Sequence, residues 1–210
     1  MISIKEIREI FNERSPRPMD KHKYFSVLIP LVEKDGEIFL LLEKRAEGID
    51  DPGEISFPGG HMEEGETPIE AARRETFEEL GIPEDEIKII SQGNTLHGFA
   101  NYTLYTSVGE ISHEAVMAAK PLEKEVARLI LMPLSFFMEN EPFVYSCDVR
   151  SDVSDFPGER VGIDKSYNWR FGKWKVPIYP SYNGAPPEDT VWGLTAIIIQ
   201  DFVKLLKEEG

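Results

Sequence analysis

A short capped helix that carries clustered acidic side chains is the feature that most constrains how this 210-residue chain folds. Thr67 is the predicted N-cap, Pro68 the first helical residue, and Glu70 completes a capping box with Thr67. Gly81 stands where a left-handed C-cap belongs. The pattern therefore predicts a helix over 68–80, whose core-facing stripe contains Ile69, Ala72, Thr76 and Leu80, with Phe77 beside it.

Three carboxylates lie within one turn of this predicted helix. Glu75, Glu78 and Glu79 have the spacing i, i+3, i+4, which places them on one face. Like charges at this spacing cost roughly a few tenths of a kcal/mol per pair. The alternatives are a solvated acidic face with salt bridges, and a site for a hard divalent cation. Mg²⁺ takes oxygen ligands and joins carboxylates to substrate phosphates, so the cluster favours a metal site.

The segment from Gly60 to Ile82 matches G-x5-E-x7-R-E-U-x-E-E-x-G-U, where U is a bulky apolar residue, with Thr76 as the one departure. This pattern resembles the signature of the Nudix hydrolases. The resemblance implies an α/β fold in which a mixed β-sheet is sandwiched between α-helices. It also implies a metal-dependent enzyme that hydrolyses a nucleoside diphosphate linked to another group, with Mg²⁺ or Mn²⁺ as the cofactor.

The same resemblance implies a role for each acidic position. Glu75 and Glu79 correspond to metal ligands, and Glu78 to a third ligand or a supporting group. The carbonyl of Gly60 is a further candidate ligand.

A supporting ion pair and a general base are also expected. Arg74 and Glu66 are predicted to form an ion pair that holds the glycine-rich loop against the helix. The motif does not fix the base, for which Glu78 and Glu125 are the candidates. Glu125 lies at the start of a predicted strand, and its alternatives are a metal ligand or a surface Glu at a strand edge.

Segments outside the motif resemble the coenzyme A pyrophosphatases. These segments are Leu-Leu-Glu-Lys-Arg-Ala at 41–46, Gly-Glu-Ile-Ser-Phe-Pro-Gly-Gly at 53–60 and Val-Trp-Gly-Leu-Thr-Ala at 191–196. The resemblance implies cleavage of coenzyme A or its derivatives to 3′,5′-ADP and 4′-phosphopantetheine, or its acyl form. A second Arg usual in that subfamily is absent from 47–52, which keeps ADP-ribose or another nucleoside diphosphate derivative open as the substrate. A non-catalytic nucleotide sensor is the alternative of another class, although such domains usually lose carboxylates that this chain retains.

Candidate substrate contacts lie just before the helix. Arg45 is expected to bind phosphate, since a guanidinium fork suits that group; the alternative is a surface Arg at a strand end. Ser56, Phe57, Gly59 and His61 are the other candidates. For Ser56 and Phe57 the alternative is packing of the loop, and for His61 it is a solvated side chain.

Composition limits the classes of binding partner and the cellular location that are expected. The net charge of −15 disfavours nucleic acid as a partner. It also opposes an anionic small substrate, which is a further reason to expect a metal at the site; the small nucleotide substrate is what the family resemblance implies. The single cysteine, Cys147, excludes an internal disulfide. No apolar run is long enough for a membrane span, and the default expectation is a cytoplasmic protein. The family resemblance implies a homodimer. We expect one domain overall, with a helix and linker at 1–23 and the hydrolase domain at 24–210.

Hydrophobic patterning predicts the remaining elements. Helices are expected at 2–12, 135–138 and 190–207, and strands at 24–32, 37–43, 87–92, 103–111, 126–132, 143–149 and 176–179. A group of aromatic residues has two interpretations, a pocket for adenine or pantetheine, or packing in the core or a dimer; its members are Tyr167, Trp169, Phe171, Trp174 and Tyr179.

Overall fold

The computed structural model describes residues 2–12, 14–99, 101–164, 167–169 and 171–209. Within them the helices are α1 (Ile4–Asn12), α2 (Pro68–Leu80), α3 (His113–Ala118), α4 (Leu134–Glu139) and α5 (Gly193–Glu209). The strands are β1 (Lys23–Lys34), β2 (Glu37–Arg45), β3 (Ile55–Ser56), β4 (Gly59–His61), β5 (Lys88–Gly98), β6 (Tyr102–Glu110), β7 (Val126–Pro133), β8 (Phe143–Arg150) and β9 (Phe171–Ile178).

Seven of the described strands form one mixed sheet. Its main path runs β3-β2-β1-β6-β5, with β4 paired to β1 and β7 paired to β2. The β1–β6 pair is parallel, and the other pairs are antiparallel. Strands β8 and β9 form a separate antiparallel ribbon.

Alternating side chains on the central strands divide the interior into two cores. On β1, Leu28 packs into a cluster with Ala72 and Leu80 of α2, whereas Ile29 packs into a cluster with residues of α5. Because successive side chains of a strand point to opposite faces, α2 and α5 cover opposite sides of the sheet. The predicted α/β/α sandwich is confirmed.

Helix α2 has the predicted bounds, and its ends have the predicted caps. The Thr67 side chain accepts from the Glu70 backbone N–H, the Glu70 carboxylate accepts from Thr67, and Gly81 adopts a left-handed conformation with φ 67°. Thr76 is fully buried, and its hydroxyl donates to the Ala72 carbonyl. The prediction for Phe77 is wrong, because its side chain is 48% exposed. It follows Thr76 by about 100° around the helix and so turns away from the sheet.

The strands whose ends are set by pairing with distant segments depart most from the predicted bounds. Strand β5 continues to Gly98 through two register shifts, although its predicted end was residue 92. Strand β9 begins at Phe171, five residues before its predicted start. Helix α3 was not predicted. Helix α1 has no buried residues, and no helix among the described residues has both the length and the apolar character required to cross a membrane.

Candidate active site

The glycine-rich loop is fixed against the central strand β1. Strand β4 pairs with β1 in the register Val27–Gly59 and Ser26–Gly60. Gly59 has φ +148°, and a Cβ placed on it would lie 2.3 Å from the Ser26 carbonyl oxygen. Glycine is therefore required at this position both by its backbone conformation and by the space available.

Two carboxylates of α2 lie directly beneath this loop. The backbone N–H of Gly59 donates to Glu79 Oε2 at 2.8 Å. A Cβ placed on Gly60 would lie 2.6 Å from the carboxyl carbon of Glu75. Glu79 is only 7% exposed and the Glu75 side chain only 16%, so both lie largely enclosed at the junction of loop, helix and strand.

Arg74 joins the loop to the helix. Its guanidinium forms a two-pronged ion pair with Glu66, with Nε–Oε1 at 2.7 Å and Nη2–Oε2 at 3.0 Å. Nη2 also donates to the His61 carbonyl at 3.0 Å, and Nη1 donates to Glu75 at 2.8 Å and to Glu78 at 3.2 Å. The expected Arg74–Glu66 pair is present, and it orients the loop over the acidic side chains.

A further acidic residue, Glu43, belongs to this site and was missed in the sequence. It lies on β2 and is 1% exposed. Its Oε1 accepts from the Ser56 hydroxyl at 3.3 Å, while Oε2 has no hydrogen-bond partner among the described residues. The available signal was the alternation of β2, which places residue 43 on the same face as Leu41, toward α2.

Burial and mutual repulsion make these carboxyls hard to ionise. Burial and, secondly, the neighbouring charge of Glu43 together raise the pKa of Glu79 to about 9. Burial also raises the pKa of Glu43 to about 7, with a smaller contribution from the charge of Glu125. The pKa of Glu75 is raised by burial against the opposing hydrogen bond from Arg74. The site therefore favours bound protons or a bound cation.

Arg45 and Glu125 lie where β2 meets the chain entering β7. Arg45 Nε donates to the Asp50 carbonyl at 2.9 Å, and its positive charge lowers the pKa of both Glu43 and Glu79. The backbone N–H of Ala46 donates to the Glu125 carbonyl at 2.8 Å. The Glu125 carboxylate is partly exposed and pairs with Lys124 at 3.2 Å. Both predicted residues thus lie beside the acidic group.

Other candidates are turned away from the acidic group. The Glu78 side chain is 50% exposed and pairs with Arg74. Phe57 is buried in the α5-side core, so it has a packing position. Ser56 is the exception, because its hydroxyl donates to Glu43 within the acidic group. His61 is exposed, with its ring edge-on to Phe25 at a centroid distance of 5.4 Å.

The donor chemistry of the site fits a hard divalent cation. Glu43, Glu75 and Glu79 offer only oxygen donors, which Mg²⁺ and Mn²⁺ prefer. As the side chains stand, Glu75 contacts Arg74 and Glu79 contacts the Gly59 N–H. In the part of the chain that is described, no three acidic, His or Cys side chains are already arranged around one metal position. The unpartnered Glu43 Oε2 is the atom that most directly calls for a cation or a proton.

The aromatic group predicted from the sequence is divided among three places. Trp174 packs on Phe99 with a centroid distance of 5.0 Å. Trp169 contacts Phe156 at 4.7 Å and Tyr167 at 5.1 Å. Tyr179 is buried in the α5-side core, and the Phe171 side chain lies outside the described part of the chain. The interpretation of core packing therefore holds for Tyr179.

Comparisons with known proteins identify the family of this chain. A family model described as the NUDIX domain matches residues 22–135. Nudix hydrolase 3 of Caenorhabditis elegans is 28% identical, over 98% of this chain and 84% of that protein. A peroxisomal coenzyme A diphosphatase of Mus musculus is 31% identical, over 63% of this chain and 56% of that protein. The crystal structure of a MutT/nudix family protein from Enterococcus faecalis aligns with a TM-score of 0.52 at 13% identity, covering 98% of this chain and 70% of that one, which bears on the fold alone.

Proposed function

Because the chain belongs to the Nudix family, we propose that it cleaves the diphosphate of coenzyme A or of its derivatives. The products are 3′,5′-ADP and 4′-phosphopantetheine, or its acyl form. Water attacks one phosphorus of the diphosphate, and the bond from that phosphorus to the bridging oxygen breaks. Nudix hydrolases generally use divalent metal ions, and we assign Mg²⁺ or Mn²⁺ to this chain.

The seating of the glycine-rich loop on Glu75 and Glu79 carries this proposal. The Gly59 N–H lies 2.8 Å from Glu79 Oε2, and Gly60 leaves no room for a Cβ beside the Glu75 carboxylate. A backbone that approaches acidic side chains so closely leaves the outer face of the loop, with the exposed His61, free to contact phosphate. Phe57 packs in the α5-side core, and Ser56 supports Glu43 through a hydrogen bond.

Each charged group of the site receives a distinct role. Glu75 and Glu79 hold the cation, with Glu78 and the Gly60 carbonyl as further candidates. When bound, the cation lowers the pKa of a coordinated water and offsets the charge of the diphosphate. Arg45 binds a phosphate oxygen through the part of its guanidinium that is not committed to the Asp50 carbonyl.

We assign the proton transfer to Glu125. Its carboxylate is partly exposed, and its charge acts on the buried Glu43, which places it near the acidic group with access to water. Glu78, the other candidate, is half-exposed and paired with Arg74 on the outer side of the helix. As general base, the Glu125 carboxylate takes the proton of the attacking water when the oxygen–phosphorus bond forms.

The substrate is supported by segments on both sides of the site. The runs at 41–46, 53–60 and 191–196 resemble those of coenzyme A pyrophosphatases, and the mouse relative is named a coenzyme A diphosphatase. One observation favours ADP-ribose as a second candidate: the loop 47–52 has no basic residue, and Arg45 is tied to the carbonyl of that loop. The absence of a basic side chain from this loop weakens the recognition of the additional 3′-phosphate of coenzyme A.

A rate comparison on the purified full chain tests this proposal. Coenzyme A, acetyl-coenzyme A, ADP-ribose and diadenosine polyphosphates are each incubated with Mg²⁺ or Mn²⁺, and the products are resolved by anion-exchange chromatography. We expect the highest kcat/KM for a coenzyme A compound. A much higher value for ADP-ribose would overturn the substrate assignment, and no turnover of any compound would overturn the enzymatic one.

A further inference from the structure

Given the proposed metal-dependent function, we infer that Glu43 is an additional cation ligand, which binds the divalent ion together with Glu79 from the strand side of the site. The motif ligands all come from α2 and the loop before it. Glu43 comes from β2, on the opposite wall.

The surroundings of Glu43 leave one carboxylate oxygen without a partner. The side chain is 1% exposed, so water does not replace the missing contact from outside. Oε1 accepts one hydrogen bond, from Ser56 at 3.3 Å, and Oε2 accepts none from the described residues. A buried carboxylate oxygen without a donor is costly, and a cation satisfies it directly.

The charges around Glu43 are also unbalanced in favour of a cation. Glu79 and Glu125 both lie near enough to repel it, and Arg45 opposes them while donating to the Asp50 carbonyl. Lys44, the next residue on the strand, forms its ion pair with Asp189 at 2.7 Å. Neighbouring side chains of a strand point to opposite faces, so Lys44 points away from the acidic side chains and does not offset their negative charge.

A purely structural role gives a different expectation. In that case Glu43 stays protonated, fills its position in the core and has Ser56 as its partner. Its amide counterpart would then serve equally well, and cation binding would not depend on the residue. A measurement of cation binding, without catalysis, therefore distinguishes a cation ligand from a purely structural residue.

The test is a titration of the full chain with Mn²⁺ in the absence of substrate. Binding is measured by calorimetry and by the electron paramagnetic resonance signal of free Mn²⁺. Glu43→Gln is compared with Glu79→Gln and with Glu110→Gln, a control at the far end of β6 whose side chain is 57% exposed. We expect Kd to rise about 10- to 100-fold in Glu43→Gln and to stay unchanged in Glu110→Gln. The Mn²⁺-induced rise in Tm should shrink in parallel.

The outcomes separate this inference from the proposed function. Unchanged binding in Glu43→Gln with weakened binding in Glu79→Gln would overturn the role of Glu43 and leave the metal site standing. Unchanged binding in both variants would overturn the metal site itself. If Glu43→Gln does not fold, Glu43→Asp keeps the charge and withdraws it by one methylene; native-like Mn²⁺ affinity in that variant would count against a ligand at this position.

Discussion

The acidic site and the β8–β9 ribbon distribute polar and apolar side chains in opposite ways. In the site, Glu43 and Glu79 are 1% and 7% exposed. In the ribbon, Phe143 and Tyr145 are 68% and 55% exposed. Burying a carboxyl costs free energy, whereas an exposed aromatic ring merely forgoes stabilisation. Burial of the carboxyls therefore lowers stability at the site, whereas the exposed rings of the ribbon carry no such cost in free energy. A local loss of stability of this kind is expected where a function is located.

Removing one charge from each region should produce the largest contrast. Glu79→Gln keeps the shape of the side chain and removes a proposed cation ligand, so we expect kcat/KM to fall by about 100- to 1000-fold, which corresponds to several kcal/mol. Asp148→Asn removes a charge from an exposed ion pair with Arg150 and Lys173 in the ribbon, and its rate should match the parent. Rates are measured on whichever substrate is cleaved fastest. A Glu79→Gln enzyme with near-parental turnover would contradict the ligand assignment.

Replacing one glycine by alanine in each region tests whether the site tolerates added volume less well than the ribbon. In Gly60→Ala the new Cβ collides with the end of the flexible Glu75 side chain, which can move aside. We expect a folded protein with kcat/KM lowered by roughly 10- to 100-fold, because the carboxylate is displaced. In Gly172→Ala the Cβ meets only the Phe99 ring at 3.7 Å, an ordinary contact. Equal activities in the two variants would show that the close approach at Gly60 is unimportant for catalysis.

The third prediction is a pH dependence of stability that arises chiefly from the buried carboxyls of the site. Glu43 and Glu79 have pKa values raised to about 7 and about 9 by burial. Between about pH 4.5 and 9 the folded protein therefore holds more protons than the unfolded chain, and the free energy of unfolding falls as pH rises. In EDTA we expect Tm to drop by about 5 °C or more from pH 5 to pH 9.

The same variants identify the source of this slope. Glu79→Gln should reduce the slope of Tm against pH, with Glu43 accounting for what remains, and saturating Mn²⁺ should also reduce the slope, because the cation replaces the proton. Asp148→Asn should leave the slope unchanged. A slope that is as steep in Glu79→Gln and in Glu43→Gln as in the parent would assign the pH dependence to groups outside the site.

How well the sequence predicted each part depends on the range of the interactions that determine it. The bounds of α2 were predicted correctly because Thr67, Glu70 and Gly81 act within one turn of the helix ends. The ends of β5 and β9 were not, since partners from distant segments set them through register shifts and ribbon pairing.

The candidate site shows the same division. The position of Glu75 and Glu79 beneath the glycine-rich loop follows from a local motif. Glu43 escaped notice because its neighbours in space, Glu79 and Ser56, come from other segments, and because the alternation of β2 gives the face on which residue 43 lies but not how deeply it is buried. Exposure of Phe77 was likewise decided by how α2 sits on the sheet.

The parallel pairing of β1 with β6 has a consequence for the order of assembly. It joins Lys23 to Tyr102 and continues to Leu31 with Glu110, so the entire loop and α2 lie between the two partners. Closing so long a segment is entropically expensive, and parallel contacts of this kind form slowly. We therefore expect α2 to exist as a helix before its acids have a binding partner, and cation affinity to appear only in the last kinetic phase of refolding.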